Sequence, residues 1–533
     1  MLTTRRNVLK AGASAAALAA LPRPLLAQLG ASSAREPVPP LDDPRLKALA
    51  ERAVDAARSA GATYADVRLT HTRQRELDPL NVRDTEGLVV GVRALVQGYW
   101  GAADGPVWSA DEMVRLGREA AGQAKTNALG KPREVALAPT PRVQDGHWVM
   151  PVEIDPFGLH PHEIMDFLES LAIYARRTPD LLVRQNFCRF MQQDKAFASS
   201  EGSYFTQSSY RSSGAFSFEL KVGEKSGQAS LDLLTPAGVG WELYRKQPLR
   251  EAIRRAIEEL REDLMMPVKP VDVGRYDAVA DAWTVAQLLD QTIGRATELD
   301  RAMGYEANAG GTSFLSDPLA MLGSYQLGAS LLTVTADRSE PGGAATVRWD
   351  DEGVAPEEFP LVQGGVLAGF QTTRESAGWL SKYYTSAGKP VRSHGCASAP
   401  SALEPAMTHT PNLVLTPGRE ALDFDALVAG LERGIAIRGG SPEMDYQGLS
   451  GLLMGRIYEV RKGKRVAQLA GVGTLFRAPE LWKGVTALGG AGSARRFGQE
   501  VSKGEPPQTS YHSVTAPPAA LEQLTLVDVR RKA

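Results

Sequence analysis

The fold of this chain is indicated by one stretch in its second half, Asp290-Gln291-Thr292-Ile293-Gly294-Arg295-Ala296-Thr297-Glu298-Leu299-Asp300. Around it, apolar or weakly polar side chains recur at helical spacing and form a stripe: Val285, Leu288, Leu289, Thr292, Ala296 and Leu299. The spacing predicts a helix over about 281–302, with Asp290, Gln291, Gly294 and Glu298 on its other side. From periodicity alone, this is a helix with one face on a core and the other in solvent.

Upstream of this helix, helical and strand patterns alternate. A helical pattern covers 45–60, and Ala65, Val67 and Leu69 then alternate with polar residues as in a half-buried strand. The further predicted elements are a hairpin over 88–101, a helix opened by the capping box of Ser109 and Glu112, a helix over 162–177, a meander over 195–235 and a helix over 253–264. Downstream, short strand patterns are separated by Gly and Pro. The predicted fold class is α+β, with helices on an antiparallel sheet first and a β-rich part, opened by the 281–302 helix, second.

Two domains are predicted from the length and from one breaker segment. The chain has 533 residues, whereas single hydrophobic cores stop growing at about 250–300 residues. The segment Pro267-Val268-Lys269-Pro270-Val271 ends the preceding helix and marks the boundary. The predicted domains therefore cover 45–266 and 271–533.

The first residues have the pattern of an export signal. Thr3-Thr4-Arg5-Arg6-Asn7-Val8-Leu9-Lys10 matches the twin-arginine signal, and the alanine-rich run that follows is too short to span a bilayer. A signal peptide over 1–27 and a flexible lead-in over 28–44 are predicted, followed by an exported, periplasmic or otherwise extracytoplasmic, soluble chain without a membrane anchor.

The composition argues against two classes of partner and one kind of scaffold. A formal net charge of −2 gives no electrostatic reason to expect nucleic acid or an anionic membrane as a partner. Two cysteines, Cys188 and Cys396, cannot form a disulfide framework. One bridge between them and two buried, inert thiols both remain open.

The stretch at 290–300 resembles the signature helix of the TldD/PmbA (TldE) metallopeptidase family. The family pattern is His-Glu-x-x-Gly-His, followed three residues later by Glu and five residues later by Asp; here Gly294, Glu298 and Asp300 keep that register. Further segments resemble the family in the same order: 91–101, 199–202, 304–308, 311–314, 350–354, 364–367, 439–440 and 457–463. In that family the two histidines and a cysteine near the C-terminus bind zinc, and the glutamate is the general base.

This chain departs from the pattern at each of those positions. Asp290 replaces the first histidine, Gln291 the glutamate and Arg295 the second histidine, while Val501 replaces the cysteine. An arginine is always cationic and is not a metal ligand, and a glutamine cannot accept a proton from water. The resemblance therefore implies a degenerate motif without catalytic residues, and no metal cofactor is expected.

The altered motif leaves a binding hypothesis open. The guanidinium of Arg295 could hold a peptide carboxylate bidentately, and we take Arg295, Glu298 and Asp300 as the candidate substrate-binding residues. The alternative is that Arg295 pairs with Glu298 or Asp290 on the helix surface. Two relocated metal sites are conceivable, but the residues of each are more typical of ordinary polar loops: His160 with His162 and Glu163, and His394 with Cys396.

The resemblance implies one function and leaves two others open. Family members work as pairs that enclose a chamber in which unstructured or modified peptides are cleaved, so the chain is predicted to be the metal-free, TldE-like subunit beside a catalytic TldD-like partner. One alternative is an active peptidase with rearranged ligands, Asp290 with a histidine brought in from elsewhere. The other is a stand-alone periplasmic peptide-binding protein. A neighbouring gene for an intact homologue with its own export signal would favour the paired subunit, and the absence of such a gene would favour the stand-alone binder.

Overall fold

The first half of the chain is built on one long, mostly antiparallel sheet. The computed structural model describes residues 38–128, 130, 132 and 134–530. Its strands in this half are β1 (Tyr64–Leu77), β2 (Val82–Val96), β3 (Tyr99–Gly105), β4 (Gly146–Val149), β5 (Leu181–Ser199), β6 (Tyr204–Val222) and β7 (Lys225–Ser230). They are ordered β3-β2-β1-β5-β6-β4, with β7 also paired to β6, and only the β4–β6 pair is parallel. The predicted signal peptide and residues 28–37 of the lead-in lie outside the described residues.

Helices pack on this sheet. They are α1 (Pro44–Ser59), α2 (Ala110–Asn127), α3 (Pro161–Ala175), α4 (Glu242–Arg245) and α5 (Leu249–Met265). The buried faces of α1 and α2 share a core with β1 and β2, and those of α3 and α5 share a second core with β5 and β6. Helix α2 begins where the capping box predicted, because the Ser109 hydroxyl accepts a hydrogen bond from the Glu112 amide.

The predicted hairpin at 88–101 is longer than its apolar run suggested. Strand β2 begins at Val82 and β3 continues to Gly105. The connecting turn holds Gln97 at φ 53° and Gly98 at φ 79°. Two successive residues at positive φ are typical of the tight turns that match the twist of antiparallel strands.

The second half contains two larger sheets. Its strands are β8 (Val268–Lys269), β9 (Gly274–Ala280), β10 (Val334–Asp337), β11 (Phe359–Gln363), β12 (Val366–Leu367), β13 (Ala397–Ser398), β14 (Met407–Thr408), β15 (Asn412–Leu415), β16 (Arg433–Met444), β17 (Ser450–Arg461), β18 (Lys464–Leu469), β19 (Val472–Arg477), β20 (Val485–Leu488), β21 (Arg495–Lys503), β22 (Gln508–Ala516) and β23 (Ala519–Asp528). One sheet has the order β12-β11-β10-β15-β22-β21. The other has the order β16-β9-β23-β19-β17-β18-β8; because β16 also pairs with β17, five of its strands form a closed ring.

Short helices connect these strands: α6 (Ala282–Leu289), α7 (Leu299–Ala302), α8 (Pro318–Met321), α9 (Arg374–Trp379), α10 (Ser381–Ser386), α11 (Phe424–Ala429) and α12 (Ala478–Lys483). Helix α6 contacts β16 of the ring and β21 and β22 of the other sheet. The helix that leads into the altered motif is therefore held between the two sheets. The predicted α+β class is confirmed, with helices on an antiparallel sheet in the first half and a β-rich second half.

The segment predicted as a domain boundary belongs to a sheet. Residues 268 and 269 form β8, the edge strand of its sheet, which pairs in parallel with β18. The residues from Leu41 onward group into one compact unit. The division into 45–266 and 271–533 stays a prediction.

Contacts between the two halves are largely polar. The guanidinium of Arg93 lies 3.4 Å from Glu352, and Lys195 Nζ lies 2.7 Å from Asp351. Beside them the rings of Phe197, Phe205 and Trp349 stack in succession. Buried charges are tolerated when they are paired, so the run at 350–352 fixes the second half against the first sheet.

Both cysteines are buried and free. Burial raises the pKa of the Cys396 thiol to about 12, so at neutral pH it is a thiol rather than a thiolate. Among the described residues, no helix combines the length and the apolar character needed to cross a membrane.

Candidate functional site

The altered motif does not form the continuous helix that its spacing predicted. Helix α6 ends at Leu289, residues Asp290–Gly294 form one π-helical turn, and the chain then leaves the helix until α7 begins at Leu299. The side chain of Gln371 donates to the Gly294 carbonyl at 2.6 Å. Its backbone amide bonds the Thr297 carbonyl, and its carbonyl accepts from the Leu299 amide. A second segment therefore takes up backbone groups that would continue the helix, and the prediction of a helix over 281–302 was wrong in this respect.

Asp290 is tied to a histidine that is distant in sequence. His512 Nε2, on β22, lies 2.7 Å from Asp290 Oδ1, and both side chains are 1% exposed. His512 Nδ1 is also buried and has no hydrogen-bond partner among the described residues. The Asp290 carboxyl therefore faces the adjoining sheet rather than solvent.

A hydrogen-bond chain joins the three altered positions of the motif. The side-chain amide of Gln291 donates to Asp290 Oδ2 at 2.7 Å, and its oxygen accepts from Arg295 Nη1 at 2.8 Å. Arg295 also donates to the Gly310 carbonyl at 3.3 Å and is half-buried. Among the described residues it forms no ion pair, so neither Glu298 nor Asp290 is its partner. Burial lowers the pKa of Arg295, and the positive charge of the neighbouring Arg301 guanidinium acts in the same direction to a smaller extent.

Glu298 and Asp300 form a buried charge cluster with two cations. Lys503 Nζ lies 3.1 Å from Glu298 and 2.9 Å from Asp300, and Arg301 Nε lies 3.0 Å from Glu298. Thr410 donates to the second Glu298 oxygen at 3.2 Å. Both candidate carboxylates are thus engaged by neighbouring side chains.

This charge cluster sets the protonation state of its members. Burial by itself raises the pKa of Glu298, but Lys503 and Arg301 outweigh it and hold this pKa at about 2. Burial likewise lowers the pKa of Lys503, yet Asp300 and Glu298 outweigh it and the net pKa is raised. Glu298 and Lys503 are therefore both charged at neutral pH.

Val501 lies on the strand next to His512. It is half-buried on β21 and pairs in register with Ser510 on β22. Directly opposed residues of antiparallel strands share a face, so Val501 shares the face of Ser510, whose hydroxyl lies 2.8 Å from His409 Nδ1. An apolar side chain stands at this position.

A polar cavity of about 340 Å³ lies between the first sheet and the second half. We call it the inter-sheet cavity. The first sheet contributes Gln193, Lys195 and Arg211 to its wall, and the second half contributes Arg338, Glu404, His409, Thr410 and Ser510. Burial, together with the charge of Lys503, lowers the pKa of His409 to about 4. Arg295, Glu298 and Asp300 do not line this cavity.

Comparison with known proteins relates both the sequence and the fold to one family. Residues 273–527 match the family model of the PmbA/TldA metallopeptidase C-terminal domain. A metalloprotease of Methanocaldococcus jannaschii is 21% identical over 70% of this chain and 78% of its own length, and a metalloprotease of Methanothermobacter thermautotrophicus is 24% identical over 59% and 65%. The chain belongs to the TldD/PmbA family.

Solved structures share the fold of this TldD/PmbA-family chain at low sequence identity. A protein of Thermotoga maritima described as a candidate modulator of a DNA gyrase superposes with a TM-score of 0.66 at 16% identity, covering 91% of this chain and all of that one. TldE from Thermococcus kodakarensis superposes with a TM-score of 0.65 at 12% identity, covering 90% and 99%. At these identities the likeness concerns the fold.

The donor groups at the motif of this TldD/PmbA-family chain do not fit zinc. Structural and catalytic zinc sites use at least three His, Cys, Asp or Glu ligands, and the described residues contain no such cluster. Arg295 stands where a ligand is needed, and Asp290 is hydrogen-bonded to His512 and Gln291.

The other metal candidates from the sequence are not assembled either. His160 caps the start of α3, with its Nδ1 3.3 Å from the His162 amide. His394 stacks on Phe359 and bonds Glu357 at 3.1 Å, whereas Cys396 is buried in the core. Each group has an ordinary structural partner.

Sequence reasoning missed the groups that complete this region. His512 and His409 belong to no motif, and nothing in the sequence connects Lys503, two residues after Val501, with Asp300. Their partners lie 222 residues away for His512 and 203 for Lys503. No pattern in the sequence marks them, and the structure buries four polar residues of β22: Gln508, Ser510, His512 and Ser513.

Proposed function

We propose that this metallopeptidase-like protein of the TldD/PmbA family is an exported, non-catalytic subunit of a heteromeric peptidase that acts on unstructured or modified peptides. The chain would form part of the peptide chamber, and a catalytic TldD-like subunit would supply the zinc site. Export by the twin-arginine route follows from Arg5-Arg6 and its flanking residues, which lie outside the described residues.

The observation that carries the proposal is the hydrogen-bond chain at the altered motif. Asp290, Gln291 and Arg295 bond one another and His512 instead of presenting ligands to a common point. Gln291 has no carboxylate with which to activate water. A chain with this motif needs a partner for hydrolysis.

One observation favours the rearranged-ligand alternative. That alternative requires a histidine from another part of the chain beside Asp290, and His512 lies 2.7 Å from Asp290. Two ligands on a tetrahedral zinc, each at about 2.0–2.1 Å, are separated by about 3.3 Å. The distance observed between Asp290 and His512 is that of a hydrogen bond and not that of two zinc ligands. Among the described residues no third metal ligand accompanies the pair, so the non-catalytic role is better supported.

The metal content of the purified mature chain distinguishes these two functions. We expect elemental mass spectrometry after dialysis to find far less than one zinc per chain. One tightly held zinc, with peptide cleavage by the chain alone, would establish the rearranged-ligand peptidase.

Reconstitution tests the subunit role. The chain is mixed with a homologue that keeps the His-Glu-x-x-x-His motif and has its own export signal, and cleavage of an unstructured peptide is measured with each protein alone as control. Co-elution and cleavage that needs both proteins support the proposal. Peptide binding without co-elution or added cleavage would instead indicate a stand-alone binding protein.

A further inference from the structure

Two guanidinium groups in the wall of the inter-sheet cavity lack a carboxylate partner. Arg211 Nε donates to the Ala344 carbonyl at 2.8 Å, and Arg338 Nη1 donates to the Ala397 carbonyl at 2.7 Å. Within the described residues neither arginine forms an ion pair, whereas Lys195 in the same wall is paired with Asp351 at 2.7 Å. The cavity wall therefore contains two guanidinium groups without a direct carboxylate partner among the described residues.

This charge is unfavourable without a ligand. Arg338 is only 5% exposed, and burying an unpaired charge is costly. Burial, together with the nearby Arg338 guanidinium, lowers the pKa of Arg211 to about 10 against the opposing effects of Tyr511 and Asp351. An anion between the two arginines would relieve both effects.

Both arginines are held in place before any ligand binds. The guanidinium of Arg211 lies over the Tyr511 ring at 5.4 Å from its centre, and the Nε of Arg338 donates to the Ala345 carbonyl at 3.3 Å. Arg211 keeps both of its Nη groups without a hydrogen-bond partner among the described residues. A pre-positioned guanidinium with two parallel donors matches the two oxygens of a carboxylate.

The remaining wall suits the end of a peptide. Amide and hydroxyl groups line it, among them those of Gln193, Ser209 and Thr410. Its acidic member, Glu404, accepts a hydrogen bond from the Ser401 amide at 3.0 Å. Thr410 also donates to Glu298 of the motif segment, so a ligand in the cavity would lie one side chain away from that segment.

We propose that the inter-sheet cavity binds a peptide carboxylate between the guanidinium groups of Arg211 and Arg338. The carboxylate comes from the peptide C-terminus or from an acidic side chain. This inference rests on the proposed peptide-related function and adds a recognition site that is separate from Arg295.

The test measures fluorescence anisotropy of labelled, unstructured hexapeptides with the full mature chain. One peptide has a free C-terminal carboxylate and no acidic side chain, the second is its amide, and the third is the amide with one internal Glu. We expect the first or third peptide to bind at least about tenfold more tightly than the plain amide. Which of the two does so identifies the source of the carboxylate.

Variants assign the preference to a residue. Arg211→Gln should reduce it to less than about threefold, while Arg348→Gln, at an exposed arginine outside the cavity, should leave it unchanged. Equal melting temperatures by circular dichroism show that Arg211→Gln is folded. Arg211→Lys, which keeps the charge, should recover part of the preference.

Three results would overturn the inference: equal binding of all three peptides, no binding of any, or a preference that survives in Arg211→Gln and is lost in Arg295→Gln. None of these decides the subunit role, which depends on metal content and reconstitution. The two proposals can therefore fail separately.

Discussion

His512 Nε2 and Asp290 Oδ1 lie 2.7 Å apart although 222 residues separate them in sequence. The pair joins the π-helical turn of the altered motif to β22. In the family that the sequence resembles, a zinc ligand stands at the position of Asp290. Here a direct side-chain contact holds this segment against the sheet.

The Asp290–His512 pair should contribute measurably to stability. Asp290→Ala and His512→Ala should each lower the free energy of unfolding by about 3 kcal/mol, because each leaves a buried polar partner unsatisfied. In the double variant the losses should fall short of additivity by at least about 1.5 kcal/mol. Urea unfolding of the four proteins measures this coupling, and strictly additive losses would show that the two groups do not interact.

Lys503 should be essential for the stability of the charge cluster at Glu298 and Asp300. Lys503→Met leaves two buried carboxylates without their ammonium partner and should cost about 3–5 kcal/mol. Lys464→Met removes an exposed lysine from β18 and should change stability by less than about 0.5 kcal/mol. Chemical denaturation compares them, and similar values for the two variants would contradict the buried cluster.

His409 predicts a pH dependence with a defined sign. Its pKa falls from 6.5 to about 4 on folding because of burial and the Lys503 charge. The neutral imidazole thus contributes stability above pH 6.5, and this contribution is lost as the pH falls towards about 4. The wild type should therefore lose stability relative to His409→Gln as the pH falls over that range, as measured by the difference between their free energies of unfolding. Other groups titrate in the same range with the opposite sign; burial, for example, raises the pKa of Asp350 to about 7. Their contributions are the same in both proteins and cancel in the difference. A constant difference from pH 8 to pH 4 would refute the prediction.

Close approach of the two halves predicts contrasting effects at two glycines of β2. A Cβ at Gly91 would lie 1.8 Å from the Ala402 carbonyl, whereas one at Gly87 meets nothing within 4 Å. Gly91→Ala should cost about 2–3 kcal/mol because backbone must move, and Gly87→Ala should be neutral or slightly stabilising. Thermal unfolding checks both, and equal melting temperatures would mean that the halves are not in contact there.

Local patterns predicted most elements but not where all of them stop. The capping box at Ser109 placed the start of α2 because a cap is satisfied within three residues. The residues of the apolar stripe at 285–299 are buried as predicted, but they do not lie on one continuous helix. Gln371, 74 and 77 residues from its side-chain partners, ends the helix by bonding its backbone, and helical periodicity contains no information about such a partner.

The sequence by itself determined the family resemblance, the α+β class and the loss of the ligand set, because the identities of residues 290, 291, 295 and 501 suffice to show that imidazole, carboxylate and thiolate groups are missing there. Only the tertiary structure brought His512 to Asp290, Lys503 to Asp300, and Arg211 to the cavity wall that contains Arg338. The physical reason is range. Propensity and periodicity report interactions within a few residues along the chain, whereas these contacts join strands and loops that meet only when the sheets pack.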